Sequence, residues 1–179
     1  MNWKAVIKFW FKEHGPDDWF FKKRKSFDAK IRKKFLKVHS QIVKGEMAEW
    51  RKEARGRLAE IIVLDQFSRN MFRGTPGMFA YDPQALALAQ EAIRAGADKR
   101  LSKDERLFMY LPFEHSESKK IQRESVKLYK ALGRKDMIFY SRDHKKIIDR
   151  FGRYPHRNAI LGRKSTAAEK KFMRAHKGY

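Results

Sequence analysis

Apolar residues recur at three- and four-residue intervals along most of the chain, the spacing that lines one face of an α-helix. Residues 3–12 put Val6, Ile7, Trp10 and Phe11 on one side, and Gly15-Pro16 ends the segment. Phe27, Ile31, Phe35, Val38 and Ile42 predict a second helix, capped by Ser26 and closed by Gly45, with Lys30, Lys33, Lys34 and Lys37 outward. A long third helix is predicted from about Met47 to Met71, stopped by Gly74-Thr75-Pro76-Gly77. Asp82-Pro83 signals the next start, Asp as N-cap and Pro at the first helical position, with Leu86, Ala89 and Ile93 before Gly96. Ser102 and Glu105 form a capping box ahead of Leu107, Phe108 and Tyr110. That helix is expected to end at Leu111-Pro112, because proline pushes the residue before it out of the α region. Ile121, Ser125, Leu128 and Leu132 predict the inward face of a helix over 118–132, ended by Gly133. Another opens at Asp136, carries Met137, Tyr140, Ser141, Ile147 or Ile148, and Phe151 on its stripe, and ends at Gly152. Thr166 and Glu169 form a second capping box before a terminal helix. No alternating Val/Ile/Thr run bounded by a tight turn suggests a strand. The expected fold is all-α: an array of seven to eight helices in a single domain over residues 1–179.

Composition agrees with a packed core and removes several chemistries. Hydrophobic residues make up 42% of the chain and there are 14 Phe and 4 Trp, too apolar and aromatic for a disordered segment. The absence of cysteine excludes disulfides, thiolate metal ligands and cysteine nucleophiles. The longest apolar run, Ile61-Ile62-Val63-Leu64, is far short of the roughly 20 residues a membrane span needs. The N-terminal residues lack the apolar core of a signal peptide, so a cytoplasmic location is expected. The net charge is +22. Residues 1–45 hold 13 basic and 4 acidic residues, 46–98 hold 7 and 8, and 99–179 hold 23 and 9. The charge therefore sits on two flanks, a distribution that either attracts polyanions or solvates the surface.

Candidate chemistry comes from polar residues that continue apolar stripes. Leu58, Ile61 and Ile62, extended by three and four, lead to Asp65, to Ser68 or Arg69, and to Phe72. Asp65 and Arg69 can pair, with Arg73 one turn on; such a pair serves either as an interhelical ion pair or as part of a site. His144 falls on the stripe of the helix from Asp136, where it is either a satisfied core histidine or an acid–base group. Two loops add Glu114-His115-Ser116-Glu117 and Arg153-Tyr154-Pro155-His156-Arg157-Asn158. His115, Glu117 and His156 are residue types that suit zinc or iron, but no His-x-x-x-His or His-x-Asp spacing puts two ligands on one element. No metal or cofactor is expected. There is no Gly-x-Ser-x-Gly elbow, P-loop or dinucleotide fingerprint. The arginine-, histidine- and asparagine-rich loop fits a carboxylate or phosphate, which a planar guanidinium grips with two bonds. For nucleic acid the best patch is Lys22-Lys23-Arg24-Lys25 beside Phe20-Phe21.

Several long segments also resemble a known family. Leu64-Asp65-Gln66-Phe67-Ser68-Arg69-Asn70-Met71-Phe72-Arg73-Gly74-Thr75 is similar to the LDQFxRNxFRGT signature of the bacterial family called domain of unknown function 924. Phe79-Ala80-Tyr81-Asp82-Pro83 resembles the segment that follows it. The run from Glu105 to Glu117 resembles its ERxFxYLPFxHSE block. Phe151 to Asn158, with Leu161-Gly162-Arg163 and Ser165-Thr166, resembles its FGRFPHRN, LGR and ST block. Ala167-Ala168-Glu169 stands where the family has Pro-Glu-Glu. The resemblance implies an all-helical fold similar to tetratricopeptide-repeat domains and no established reaction.

The leading expectation is a polar pocket that binds a small phosphate- or carboxylate-bearing ligand, with or without an enzymatic reaction. Arg69, Arg73, Arg153 and Arg157 supply charge, and Asn70 and Asn158 neutral hydrogen bonds. His115, His144 and His156 are acid–base candidates, oriented by Asp65 and Glu117. The alternatives are a helical adaptor for protein or peptide, and non-specific nucleic-acid binding through the lysine-rich flanks.

Overall fold

Two aromatic residues in the last turn of the first helix, Phe9 and Trp10, are almost fully buried and meet rings from three other segments. Phe9 packs edge-on to Phe35 and Phe67, and Trp10 packs edge-on to Phe67 and Phe108. Such tilted contacts match the quadrupoles of the rings. The computed structural model describes residues 1–21 and 25–176, with the side chains of Phe20 and Phe21 outside that description. The basic patch of residues 22–25 beside Phe20 and Phe21 therefore lies largely outside the described residues.

Among the described residues every regular element is helical, and no strand occurs. The α-helices are α1 (Trp3–Phe11), α2 (Lys25–Val43), α3 (Ala54–Ile62), α4 (Ser68–Met71), α5 (Asp82–Arg94), α6 (Lys103–His115), α7 (Lys119–Leu132), α8 (Lys135–Phe151) and α9 (Ala167–Ala175). No described helix is long and apolar enough to cross a membrane. The chain divides into two compact units. The first is Met1–Arg73 with Gly77–Pro112; the second is Gly74–Pro76 with Phe113–Tyr179.

In the first unit, α1 and α5 pack on α3, and α2 packs on α4 and on the turn that precedes it. The predicted stripe of α2 is buried at every position: Phe27, Ile31, Phe35, Val38 and Ile42. The predicted long helix from Met47 to Met71 is instead a series of pieces. A 3-10 segment spans Ala48–Lys52, extended backbone at Glu53 breaks it, and α3 follows. A π-helical turn, Val63–Phe67, then joins α3 to α4. Every residue from Leu58 to Ser68 is buried, so in place of the expected one-sided stripe this stretch is enclosed all round, with the polar Glu60, Asp65, Gln66 and Ser68 among its apolar residues.

Gly56 sets how closely α3 approaches the preceding turn. A β-carbon there would stand 1.9 Å from the backbone oxygen of Trp50. Gly56→Ala is therefore expected to lower stability by about 1–3 kcal/mol, the range for forced overpacking. Chemical denaturation measures it, with Gly15→Ala as control, because a β-carbon at Gly15 meets nothing within 4 Å.

Other boundaries differ from expectation for local reasons. Tyr81, not Asp82, is the N-cap residue of α5, since the Asp82 carboxylate is turned to Arg69. α6 does not stop at Leu111 but runs through Pro112 to His115. Leu111, Phe113 and Glu114 on either side of the proline are buried, and that burial outweighs the one helical hydrogen bond proline cannot donate. Both predicted capping boxes form, Ser102 with Glu105 and Thr166 with Glu169.

In the second unit α7 and α8 form a helical hairpin joined through Gly133, which takes the left-handed conformation at φ 75°. The inward face of α7 is Gln122, Ser125, Tyr129 and Leu132, one residue round from the expected Ile121 and Leu128. The inward face of α8 is Met137, Ser141, His144, Ile147 and Ile148. Tyr140, expected inward, is 42% exposed. Tyr154 packs with Ile147 and Ile148 in a buried cluster bordered by Phe151 and Phe172.

Candidate functional site

Asp65, Arg69, Asn70 and Arg73 lie within or just after the π-helical turn in the first unit. The Arg69 guanidinium holds both oxygens of Asp82 at 2.9 and 3.0 Å and the Asp65 main-chain oxygen at 2.6 Å. Its Nη1 is also 3.3 Å from the buried Asp65 carboxylate. Gln66 donates to the other Asp65 oxygen. Asn70 and Arg73 both reach Asp28 on α2, Arg73 with two bonds of 2.6 and 2.9 Å. Behind them, His39 of α2 shares a 2.9 Å hydrogen bond with Ser68 and packs edge-on to Tyr81. The cluster thus ties α2 and the start of α5 to the turn by charge-assisted bonds.

A second cluster is built around Tyr154 in the second unit. Its ring meets His144 edge-on at 5.6 Å and His156 at 5.5 Å, and the Arg157 guanidinium lies 4.7 Å from its centre. The Tyr154 hydroxyl donates to the Glu114 main-chain oxygen and accepts from Gln122. Gln122 also donates to the Glu114 and Ser116 carbonyls, so one amide fixes the end of α6. Arg157 donates to the His115 carbonyl at 2.9 Å. His144 Nδ1 is 2.9 Å from the Tyr140 carbonyl and 3.7 Å from the Glu114 carboxylate. His144 and Arg157 are buried, while His115 and His156 are half-buried.

A polar brace surrounds this centre. Glu117 accepts from the Tyr154 amide and from both terminal nitrogens of Arg163. Arg163 also donates to Asn158 and to the Tyr154 carbonyl. Asn158 donates to Ser165 and Glu169, and Arg153 holds Glu169 through two bonds. The loop from Arg153 to Thr166 is held by these partners together with the buried Tyr154 and Pro155.

Electrostatics separate the groups. Burial drives the His144 pKa down to about 3, a fall that the neighbouring His115 and His156 assist and the Tyr140 carbonyl and Asp143 oppose. Burial likewise drives His39 down to about 4. Both are neutral at pH 7. Burial resists ionisation of Glu117, but Arg163, the Tyr154 amide and Arg157 outweigh it and hold the carboxyl below its ordinary range. The bond from Arg153 brings Glu169 down to about 2, against burial and with help from the Thr166 amide and Asn158.

The predicted residues therefore fall into two groups. Asp65, Arg69, Asn70 and Arg73 are together in the first unit; His115, Glu117, His144, Arg153, His156, Arg157 and Asn158 are together in the second. His115, Glu117 and His156 form no metal-holding group, and no three acidic or histidine side chains do so among the described residues. Spacing alone missed Asp28, Asp82, Gln122, Tyr154 and Arg163 as partners. His39 was legible, for it stands beside Val38 on the α2 stripe, four residues after Phe35.

This is an all-α protein whose described residues include a polar cluster around Tyr154. The chain belongs to the bacterial protein family of unknown function DUF924, whose pattern matches residues 6–177. A solved structure of a protein of unknown function from Agrobacterium tumefaciens, ATU0120, is similar throughout. It shares 40% identity over 97% of each chain, with a TM-score of 0.92. No curated protein matches the chain.

Proposed function

We propose that the chain binds a small phosphate- or carboxylate-bearing ligand at the cluster of His115, His144, His156 and Arg157. One observation carries this: the His144 and His156 imidazoles and the Arg157 guanidinium gather around a single buried tyrosine, with His115 close enough to act on His144, although three separate stretches of the chain supply them. Packing alone does not call for so many costly polar groups at one place. Arg157 supplies the positive charge. The half-buried His115 and His156 meet the ligand as hydrogen-bonding and acid–base groups. His144, neutral, acts as a hydrogen-bonding group oriented by the Tyr140 carbonyl. Glu117 orients the loop through the Tyr154 amide. Arg69, Asn70, Arg73, Arg153 and Asn158 already grip carboxylates of the chain itself, and in this proposal they, with Asp65, support the fold.

A thermal-shift screen over phosphorylated metabolites, carboxylates and divalent cations tests the proposal. A ligand at a hundred times its Kd stabilises the native state by about 2.7 kcal/mol, which for a chain of this size raises Tm by roughly 5–10 °C. His156→Gln is expected to remove that shift while leaving the ligand-free Tm close to the parent value. An undiminished shift in His156→Gln, or no response to any compound class, would refute the site.

A further inference from the structure

We infer that the outward face of α8 binds single-stranded nucleic acid, with Phe139 as a stacking platform and Lys135, Arg142 and Lys146 on the phosphates. Lys135, Phe139, Arg142 and Lys146 recur at four, three and four residues, so they line one face of the helix. With Ile138 and Asp143 they border an open concavity of about 430 Å³, within the usual range for ligand clefts. The face lies about 140° around α8 from His144, so it is separate from the proposed ligand cluster.

Two observations favour this occupant. Phe139 is 67% exposed and Tyr140 42%, both outside the buried face of Met137, Ser141, His144, Ile147 and Ile148. Their rings stand edge to face at 5.7 Å and 77°, which leaves the Phe139 ring presented to solvent. An exposed aromatic ring beside cations is the arrangement on which bases stack while the backbone is neutralised.

The charges on this face are also available. Asp136 is held by Arg134, Asp149 by Lys145, and Asp143 by His176. The carboxylates of α8 thus have partners other than Lys135, Arg142 and Lys146, whose side chains are exposed. A second copy of the chain is a poor occupant, because each copy carries a net charge of +22. A duplex hides the faces of its bases, so it can use the cations but not the ring. An anionic membrane calls for a broad apolar face, whereas here the Phe139 ring stands among Lys135, Arg142 and Lys146.

The test is fluorescence anisotropy of the full chain with a labelled oligothymidylate of about twelve nucleotides, a duplex of equal length, and phosphatidylserine vesicles. Single strand is expected to bind more tightly than duplex. Phe139→Ala should weaken single-strand binding about tenfold, the effect of losing one stacked base, without changing duplex binding or the salt slope. Phe139→Trp should keep the affinity. Lys146→Gln should reduce the slope of log K against log salt by about 0.7, one phosphate contact on a single strand. Equal affinity for duplex and single strand would overturn the inference, as would Phe139→Ala binding like the parent. Binding to vesicles with none to the oligonucleotide would overturn it in favour of a membrane surface. None of these outcomes depends on His156, so success or failure here is distinct from that of the ligand cluster.

Discussion

Arg69→Ala is expected to lower the stability of the chain by about 3–5 kcal/mol, the cost of removing one partner from a buried ion pair. The Asp65 side chain is 1% exposed and that of Asp82 13%, and both carboxylates face the same guanidinium. Without it, two enclosed charges lose their counterion and the Asp65 main-chain oxygen loses a donor. A denaturant titration followed by helical circular dichroism reads the loss directly. The double variant Arg69→Ala/Asp82→Ala should recover part of it, because one orphaned charge is then gone. A loss below about 1 kcal/mol would mean that these carboxylates find other cations. The guanidinium would then be available for the ligand role first drawn for it from helical spacing.

Acidification gives the second large effect. His39 and His144 are almost fully enclosed, with folded pKa values of about 4 and about 3 against an ordinary 6.5. Above pH 6.5 both are neutral whether the chain is folded or unfolded, and stability does not depend on them. Below it the unfolded chain takes up protons that the folded chain refuses, so stability falls as pH falls. By pH 5 each histidine removes about 2 kcal/mol, and the loss continues until pH reaches the folded pKa. Glu169 acts lower: its stabilisation is complete above about 4.5 and disappears as pH approaches 2. Denaturant titrations at pH 7 and pH 5 should therefore differ by about 4 kcal/mol. His39→Gln and His144→Gln should each remove about half of that difference. Equal stability at the two pH values would show that the imidazoles reach solvent.

What was legible in the sequence was local. The α2 stripe, the two capping boxes and the glycine terminators at Gly133 and Gly152 all depend on residues within one or two turns, and all are found where the spacing puts them. The polar candidates were legible too, since Asp65 and His144 continue apolar faces and are buried. Their partners were not. Asp28 lies 42 residues from Asn70 and 45 from Arg73, and Glu117 lies 46 from Arg163. No period along a chain encodes such a pairing. Tyr140 was misplaced for a different reason: Tyr140 and Ser141 both fit the α8 stripe, and the small Ser141 allows the close approach of α7 that a tyrosine would block. Pro112 was misread because a helix-breaking residue counts against a helix only until burial on both sides outweighs it.

The wide turn at Val63–Phe67 absorbs one residue more than ordinary winding does. Deleting a residue there would return the backbone to a regular coil and leave the residues beyond it on nearly their present face. Straightening the turn at full length would do the opposite and swing everything downstream by about 100° around the axis. Arg69 would then aim away from Asp82 and Arg73 away from Asp28, though every side chain involved were still present. The surplus residue is thus the spacer that keeps both guanidiniums in register with their carboxylates.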